Sequence, residues 1–454
     1  MVDQQHPTPR PAPGAAGSAT PGATSQDGPG PDSPGDHDRV QRRTLIVLVV
    51  MQVIGTVGVG IAPSIGVLLA GEVTENEAWA GLARTASTLG AALVGLPLGN
   101  LAARFGRRVA LTCGWWVAAA GSALLVLAAQ ASLIAPLFIG LLLIGAGSAV
   151  SMQARFAATD LARPERRGRS LALIVWVGTL GSVLGPNLGV PGKAIGEQVG
   201  LNVYAGAFAI AAIFLALAGL IVFGWLRPDP LLVLHRSAPV TPAESVDPRR
   251  RPNRIGMILA ELRVNPSARF AVIAILTAQI VMVAIMTMTP VHLTHQGGSI
   301  TIIGLTISLH VAGMFGLAPV VGQLADRVGP RPTIAAGVAI FLASLLIGAV
   351  RSEETGWIMA SLLLLGLGWS FVNVSASALF TASISDHTRA SSQGGVDALS
   401  NLCGASAALV SGPLLAATSF PALSVLTMVV LVPLTVLLVT GVVAARSGRG
   451  GARP

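Results

Sequence analysis

Four residues with soft or borderline donor atoms stand at helical spacing in the second half of the 454-residue chain. Met282 and Met286 are one turn apart, as are His310 and Met314, so each pair shares a face if its segment is helical. With about 1.5 Å of rise per residue, two antiparallel segments bring the pairs to overlapping depths. Three thioethers and one imidazole suit a soft ion, Cu(I) above all, whereas Mg, Ca or Mn seek oxygen ligands that this set lacks. Met288, His292 and His295 continue toward one end, where they could collect an ion before entry. Methionine is also the ordinary gap filler of apolar helices, so each thioether alone reads first as packing. An imidazole in the same surroundings needs a reason.

Other polar side chains interrupt the apolar segments and are candidates to bind a substrate: Arg84, Gln279, Asn373, Asp397 and Asn401. Arg84 has no acid at similar depth. It could bind an anionic group, or it could pair with Glu77 or snorkel outward along its stem. Asp397 could couple protons or answer the N-terminal dipole of its helix.

The elements that hold these residues follow from composition. Hydrophobic residues make up 52% of the chain and charged residues only 11%, which fits lipid as solvent and no ordinary soluble domain. Twelve apolar runs fall at 44–70, 79–103, 109–130, 133–154, 170–190, 202–226, 269–291, 301–321, 333–350, 356–381, 395–417 and 421–444. Each approaches the roughly 20 residues that span a bilayer as a helix, and their continuity leaves no alternating polar lumen face for a barrel. The expectation is an all-α integral membrane protein with a six-helix bundle at 41–226 and another at 269–445. A cytoplasmic linker at 227–268 joins them, a disordered tail occupies 1–40, and a short cytoplasmic tail 446–454. Residues 1 to 40 hold eight prolines before Arg39 and almost nothing that packs. The first apolar run is long and followed by eleven more, so it reads as a span and not as a cleavable leader.

The net charge of +9 is a topology signal more than a nucleic-acid footprint. With the N-terminus inside, every Lys and Arg except Arg84, Lys193 and Arg351 falls at the cytoplasmic side, while the first outer loop carries Glu72, Glu75 and Glu77. Both termini are therefore expected in the cytoplasm of a cell membrane, with the lipid bilayer as partner and no nucleic acid. Cys113 and Cys403 lie in separate halves and support neither a disulfide framework nor a thiolate cage. No H-E-x-x-H motif, phosphate-cradling loop or large soluble domain points to an enzyme, and no cofactor is implied.

The two halves repeat each other. Gly99-Asn-Leu-Ala-Ala103-Arg104-Phe-Gly106-Arg107-Arg108 follows the second run, and Gly322-Gln-Leu-Ala-Asp326-Arg327-Val-Gly329-Pro330-Arg331 follows the eighth, 223 residues later. Asp160, Arg163 and Gly168 recur as Asp386, Arg389 and Gly394 at an offset of 226. At these residues the chain resembles the major facilitator superfamily, whose signature between helices 2 and 3 is approximately G-x-L-A-D-R-x-G-R-[RK], echoed between helices 8 and 9. The resemblance covers about residues 40 to 445. It implies twelve transmembrane helices in two six-helix repeats and alternating access about a central site; a monomer is expected. It also implies gating roles for the motif residues, with Ala103 standing where the first copy usually has an acid.

Gly181-x-x-x-Gly185-Pro186-x-x-Gly189 looks like the glycine-proline motif of the superfamily's antiporters, though such small residues also serve helix packing alone. Leu141 stands where many proton-coupled members carry an arginine. The Met/His pairs resemble the copper-importing branch, in which M-x-x-x-M on helix 7 and H-x-x-x-M on helix 8 carry copper. Riboflavin transporters are related to that branch. Copper(I) import, transport or proton antiport of a small organic solute, and a non-transporting receptor are the functions left open.

Overall fold

The computed structural model describes residues 34–76, 78–163, 166–237, 263, 265–384 and 386–450, with side chains except at 34–37, 96, 235, 386–391, 394 and 441–450. Most of the expected tail at 1–40, the middle of the linker, and the side chains of Asp386 and Arg389 lie outside the described residues. Among those residues there are twelve helices long and apolar enough to cross a membrane, and no strand. They are α1 (Asp38–Thr74), α2 (Ala78–Phe105), α3 (Arg107–Ala131), α4 (Ile134–Ala157), α5 (Arg167–Val199), α6 (Val203–Trp225), α7 (Pro266–His295), α8 (Ile300–Val328), α9 (Pro330–Val350), α10 (Thr355–Ser383), α11 (Asp386–Ala417) and α12 (Phe420–Thr440).

Several helices outrun the apolar runs that announce them, because their terminal turns are polar. Helical backbone extends ahead of the α1 span to Pro34, inside the expected tail. Proline suits a helix start, where its missing N–H removes no bond, and the Arg163–Asp38 ion pair ties the beginning of α1 to the loop after α4. Pro63 and Pro186 do not end their helices. They sit in a π turn at Ala62–Gly66 and a 3-10 turn at Gly185–Leu188, where the ladder has already shifted. The expected linker holds a short helix, Pro230–Ser237, whose first amides are capped by Asp229.

Each half builds its own core. Trp115, Phe208 and Leu141 belong to the first; Phe341, Leu362 and Phe420 to the second. Small residues let the backbones close up: a Cβ at Gly55 would lie 2.3 Å from the Trp115 ring, and one at Gly145 would lie 2.2 Å from the Ser87 carbonyl oxygen. In lipid, where hydrophobic association between helices is weak, this close packing is what holds a bundle together. The halves then meet chiefly along two seams, α2 against α11 and α5 against α8, with α7 also touching the outer parts of α1 and α2. Both seams lie at the end of the bundle away from the termini, here termed the outer end.

Candidate functional site

The signature loops explain their own glycines. Gly106, between α2 and α3, has φ +89°, and Gly329, between α8 and α9, has φ +97°. With ψ near 170° and 153°, both stand in a region that is essentially glycine's alone. Arg107 then reaches across to the end of α4. Its Nε and Nη2 donate to Asp160 at 2.8 and 3.1 Å, and its Nη1 donates to Gln153 at 2.9 Å. The acid missing at Ala103 has a counterpart elsewhere: Asp229 accepts from the Arg108 amide at 2.7 Å and also caps the helix at Pro230. Asp229 thus ties α3 to the end of α6, a role invisible in the motif because it comes from the expected linker. Arg104 stacks on Phe105, and Gly99 and Gly322 leave open space for a side chain or nearly so. Asp326 and Arg327, the better-preserved pair of the second copy, are exposed and make no hydrogen bond or ion pair with a described residue.

Arg107 and Asp160 are about nine-tenths buried. Removing one partner of such a pair leaves a charge without compensation and costs about 3–5 kcal/mol, while replacing both by apolar groups is often nearly neutral. Arg107→Met is therefore expected to lower the thermal midpoint of the detergent-solubilised protein clearly. Arg107→Met/Asp160→Leu should recover most of that loss. A double variant no better than the single would show that the pair matters for more than its charges.

The glycine-proline segment of α5 has a packing role on both sides. A Cβ at Gly181 would lie 2.0 Å from Thr56 Oγ1, and one at Gly185 would lie 2.6 Å from the Gly60 Cα, both on α1. A Cβ at Gly189 would lie 2.6 Å from Ile65 on α1 and 2.9 Å from Ile300 of the other half. The seam there is polar as well as tight, since Asn187 Nδ2 donates to Ser308 Oγ at 2.7 Å and Ser308 Oγ donates to the Val183 carbonyl at 2.5 Å. At the other seam Thr85 donates to the Ala405 carbonyl at 2.9 Å, and a Cβ at Gly81 would lie 2.0 Å from the Ala408 oxygen. These hydrogen bonds are the ones that cross between the halves among the described residues, and all lie in the outer half. At the inner end α4 has no extended packing on α10 or α11.

Between the seams and the inner end lie the candidate binding residues. Gln279 accepts from Trp369 Nε1 at 3.2 Å, and Trp369 meets Phe315 edge-on at 5.7 Å between centroids, so α7, α8 and α10 share one aromatic-lined wall. Asn373 is half-buried one turn further along α10, and Asp397 and Asn401 are exposed on the inner part of α11. Arg84 lies under the α2–α11 seam, partly buried, with its Nε fully buried and unpartnered. The sequence reading overlooked Trp369 and Phe315, whose mid-span aromatic rings were the available signal. It also counted Arg155 as a topology anchor, whereas Arg155 is half-buried with a buried, unpartnered Nε and its charge interacts with that of Asp397.

Met282, Met286, Met314 and His310 are all buried, but α7 and α8 touch little, each packing instead along α10. His310 Nδ1 donates to the Leu362 carbonyl of α10 at 2.9 Å, and its Nε2 is buried without a partner. The feeder residue His292 is taken up differently, stacked on Phe420 at 4.3 Å and bonded to the Ser352 carbonyl at 2.8 Å.

Comparison with known proteins agrees with the architecture. The Major Facilitator Superfamily model matches residues 44–408 and, in a second alignment, 272–453. The chain is 36% identical over 400 residues to YdeG of Bacillus subtilis, an uncharacterized MFS-type transporter, covering 87% of this chain and 90% of that protein. It is 27% identical over 359 residues to the riboflavin transporter RfnT of Brucella anthropi, covering 78% and 85%. The crystal structure of the nucleoside transporter NupG superposes with a TM-score of 0.64 at 14% identity, covering 88% of this chain and 98% of that one, a likeness of fold. Matched by the family model over most of its length and by a relative at more than one-third identity, the chain belongs to the major facilitator superfamily and is a multi-pass, MFS-type transporter.

Proposed function

We propose that the protein carries a small organic solute across the cell membrane by alternating access, and that the present conformation is inward-facing. The observation that carries this reading is the asymmetry of the contacts between halves: two tight, hydrogen-bonded seams at the outer end and, among the described residues, none at the inner end. The basic residues support an orientation with both termini in the cytoplasm, which makes the open end the inner one.

Charge and shape favour an organic cargo over copper. The Trp369–Phe315 pair with Gln279 offers a flat apolar face and an amide, a combination that holds a planar ring system. The lone pair at His310 Nε2 would suit a metal, but the nearby charge is the cation Arg84, which repels one. The distant relative RfnT, a riboflavin transporter, is compatible with an aromatic heterocyclic cargo.

The test is counterflow in proteoliposomes with full-length protein. Labelled aromatic heterocycles, riboflavin among them, would be run beside Cu(I) under reducing conditions. Accumulation of an organic solute, weakened at least several-fold by Trp369→Ala, is expected. Cu(I) flux abolished by His310→Ala would establish the metal reading instead, and binding without flux would mark a receptor.

A further inference from the structure

The packing of the bundle does not account for Arg84. It stands in the second turn of α2, one turn deeper than Ala80, whose side chain is fully buried in the core of the second half. Residues four apart share a helix face, so Arg84 is directed to the interface between halves. The seam formed by Gly81 and Thr85 with Ala408 and Ala405 covers it from the outer end. Its Nε is buried without a partner, and among the described residues its guanidinium has no hydrogen-bond or ion-pair partner. A guanidinium carries five donors and keeps its charge, and such a group at membrane depth is expensive unless something answers it.

A second unsatisfied group lies on the other half. Because a carbonyl can only accept, His310 Nδ1 carries the proton that binds Leu362, and in the neutral ring Nε2 is left as an acceptor. That atom is buried without a partner, and the Arg84 charge acts on the ring from across the interface. An unanswered donor group on one half and an unanswered acceptor on the other are therefore within electrostatic reach of each other, inward of the outer seam.

We propose that Arg84 anchors an oxyanion, a carboxylate or phosphate, on the transported solute, while His310 Nε2 accepts a hydrogen bond from a hydroxyl or amine of the same molecule. This rests on the transporter reading and narrows its cargo to an anionic class. Binding energy would come from both halves, since Arg84 and His310 belong to different ones.

Purified full-length protein tests this by thermal shift and titration. The probes are sodium phosphate against sodium chloride at equal ionic strength, riboflavin 5′-phosphate beside riboflavin, and an aromatic carboxylate beside its carboxamide. The phosphate and carboxylate arms separate the two kinds of oxyanion. Anionic members are expected to stabilise the wild type beyond their neutral partners. Arg84→Gln should weaken that binding roughly 10- to 100-fold, the range for a charged hydrogen bond, with Arg84→Lys in between. A ligand-free arm makes the result independent of the panel: removing an unanswered charge should raise the melting point of the empty Arg84→Gln protein. A fall in that melting point would mark Arg84 as structural and overturn the proposal, as would anion responses that are absent or unchanged in the variant. Transport of a neutral solute at wild-type rate by Arg84→Gln would also overturn it while leaving the transporter reading intact.

Discussion

Gly81→Val is expected to turn the transporter toward its outward-facing form. In the present conformation a Cβ at Gly81 would meet the Ala408 carbonyl oxygen at 2.0 Å, backbone against backbone, so neither side can yield by a rotamer change. Overpacking of this kind costs about 1–3 kcal/mol. The contact exists only while α2 and α11 are together at the outer end, so the cost falls on one state and shifts the equilibrium about 5- to 150-fold. Ser308, buried under the neighbouring seam, is the reporter position. In protein lacking Cys113 and Cys403, a cysteine at 308 should react with an impermeant reagent applied from outside at least fivefold faster once Gly81→Val is added. Gly185→Val is the control, because Gly185 packs on Gly60 within one half. That change should lower the yield of folded protein without raising the labelling rate. A folded Gly81→Val protein with unchanged labelling would mean that the α2–α11 seam is not a moving part.

The sequence made the number of spans and the glycines of the signature turns legible, because length, hydropathy and internal repetition are local properties. Gly106 and Gly329 show why the repeat could be trusted: both copies keep a glycine where the backbone takes φ near +90°. The partners of those turns were less visible. Asp229 does for the first loop part of what an acid at Ala103 would do, and only the fold brings it back across 121 residues to Arg108. The Met/His pairs are a different case. Spacing places two side chains on a face but does not say which helix that face meets, and α10 stands between α7 and α8. Arg155 was hidden by its position near the inner end of α4, where an arginine is the expected topology residue.

That position makes Arg155 the counterpart of the outer seams. Its Nε is buried and unpartnered, Asp397 on α11 is exposed, and the two charges interact without forming an ion pair. When α4 and α11 close at the inner end, the pair is expected to meet and be desolvated together. Neutralising one partner would then leave the other buried alone in the outward-facing state, at a cost of about 3–5 kcal/mol, while costing little in the present open one. Arg155→Gln and Asp397→Asn should each reduce outside labelling of the cysteine at 308 tenfold or more and slow transport in proportion. Arg155→Asp/Asp397→Arg should restore much of both, since the exchange keeps one charge of each sign at the closing surface. A proton-coupling role for Asp397 makes a different forecast: Asp397→Asn would abolish the effect of a pH gradient, Arg155→Gln would not, and the exchange would rescue nothing.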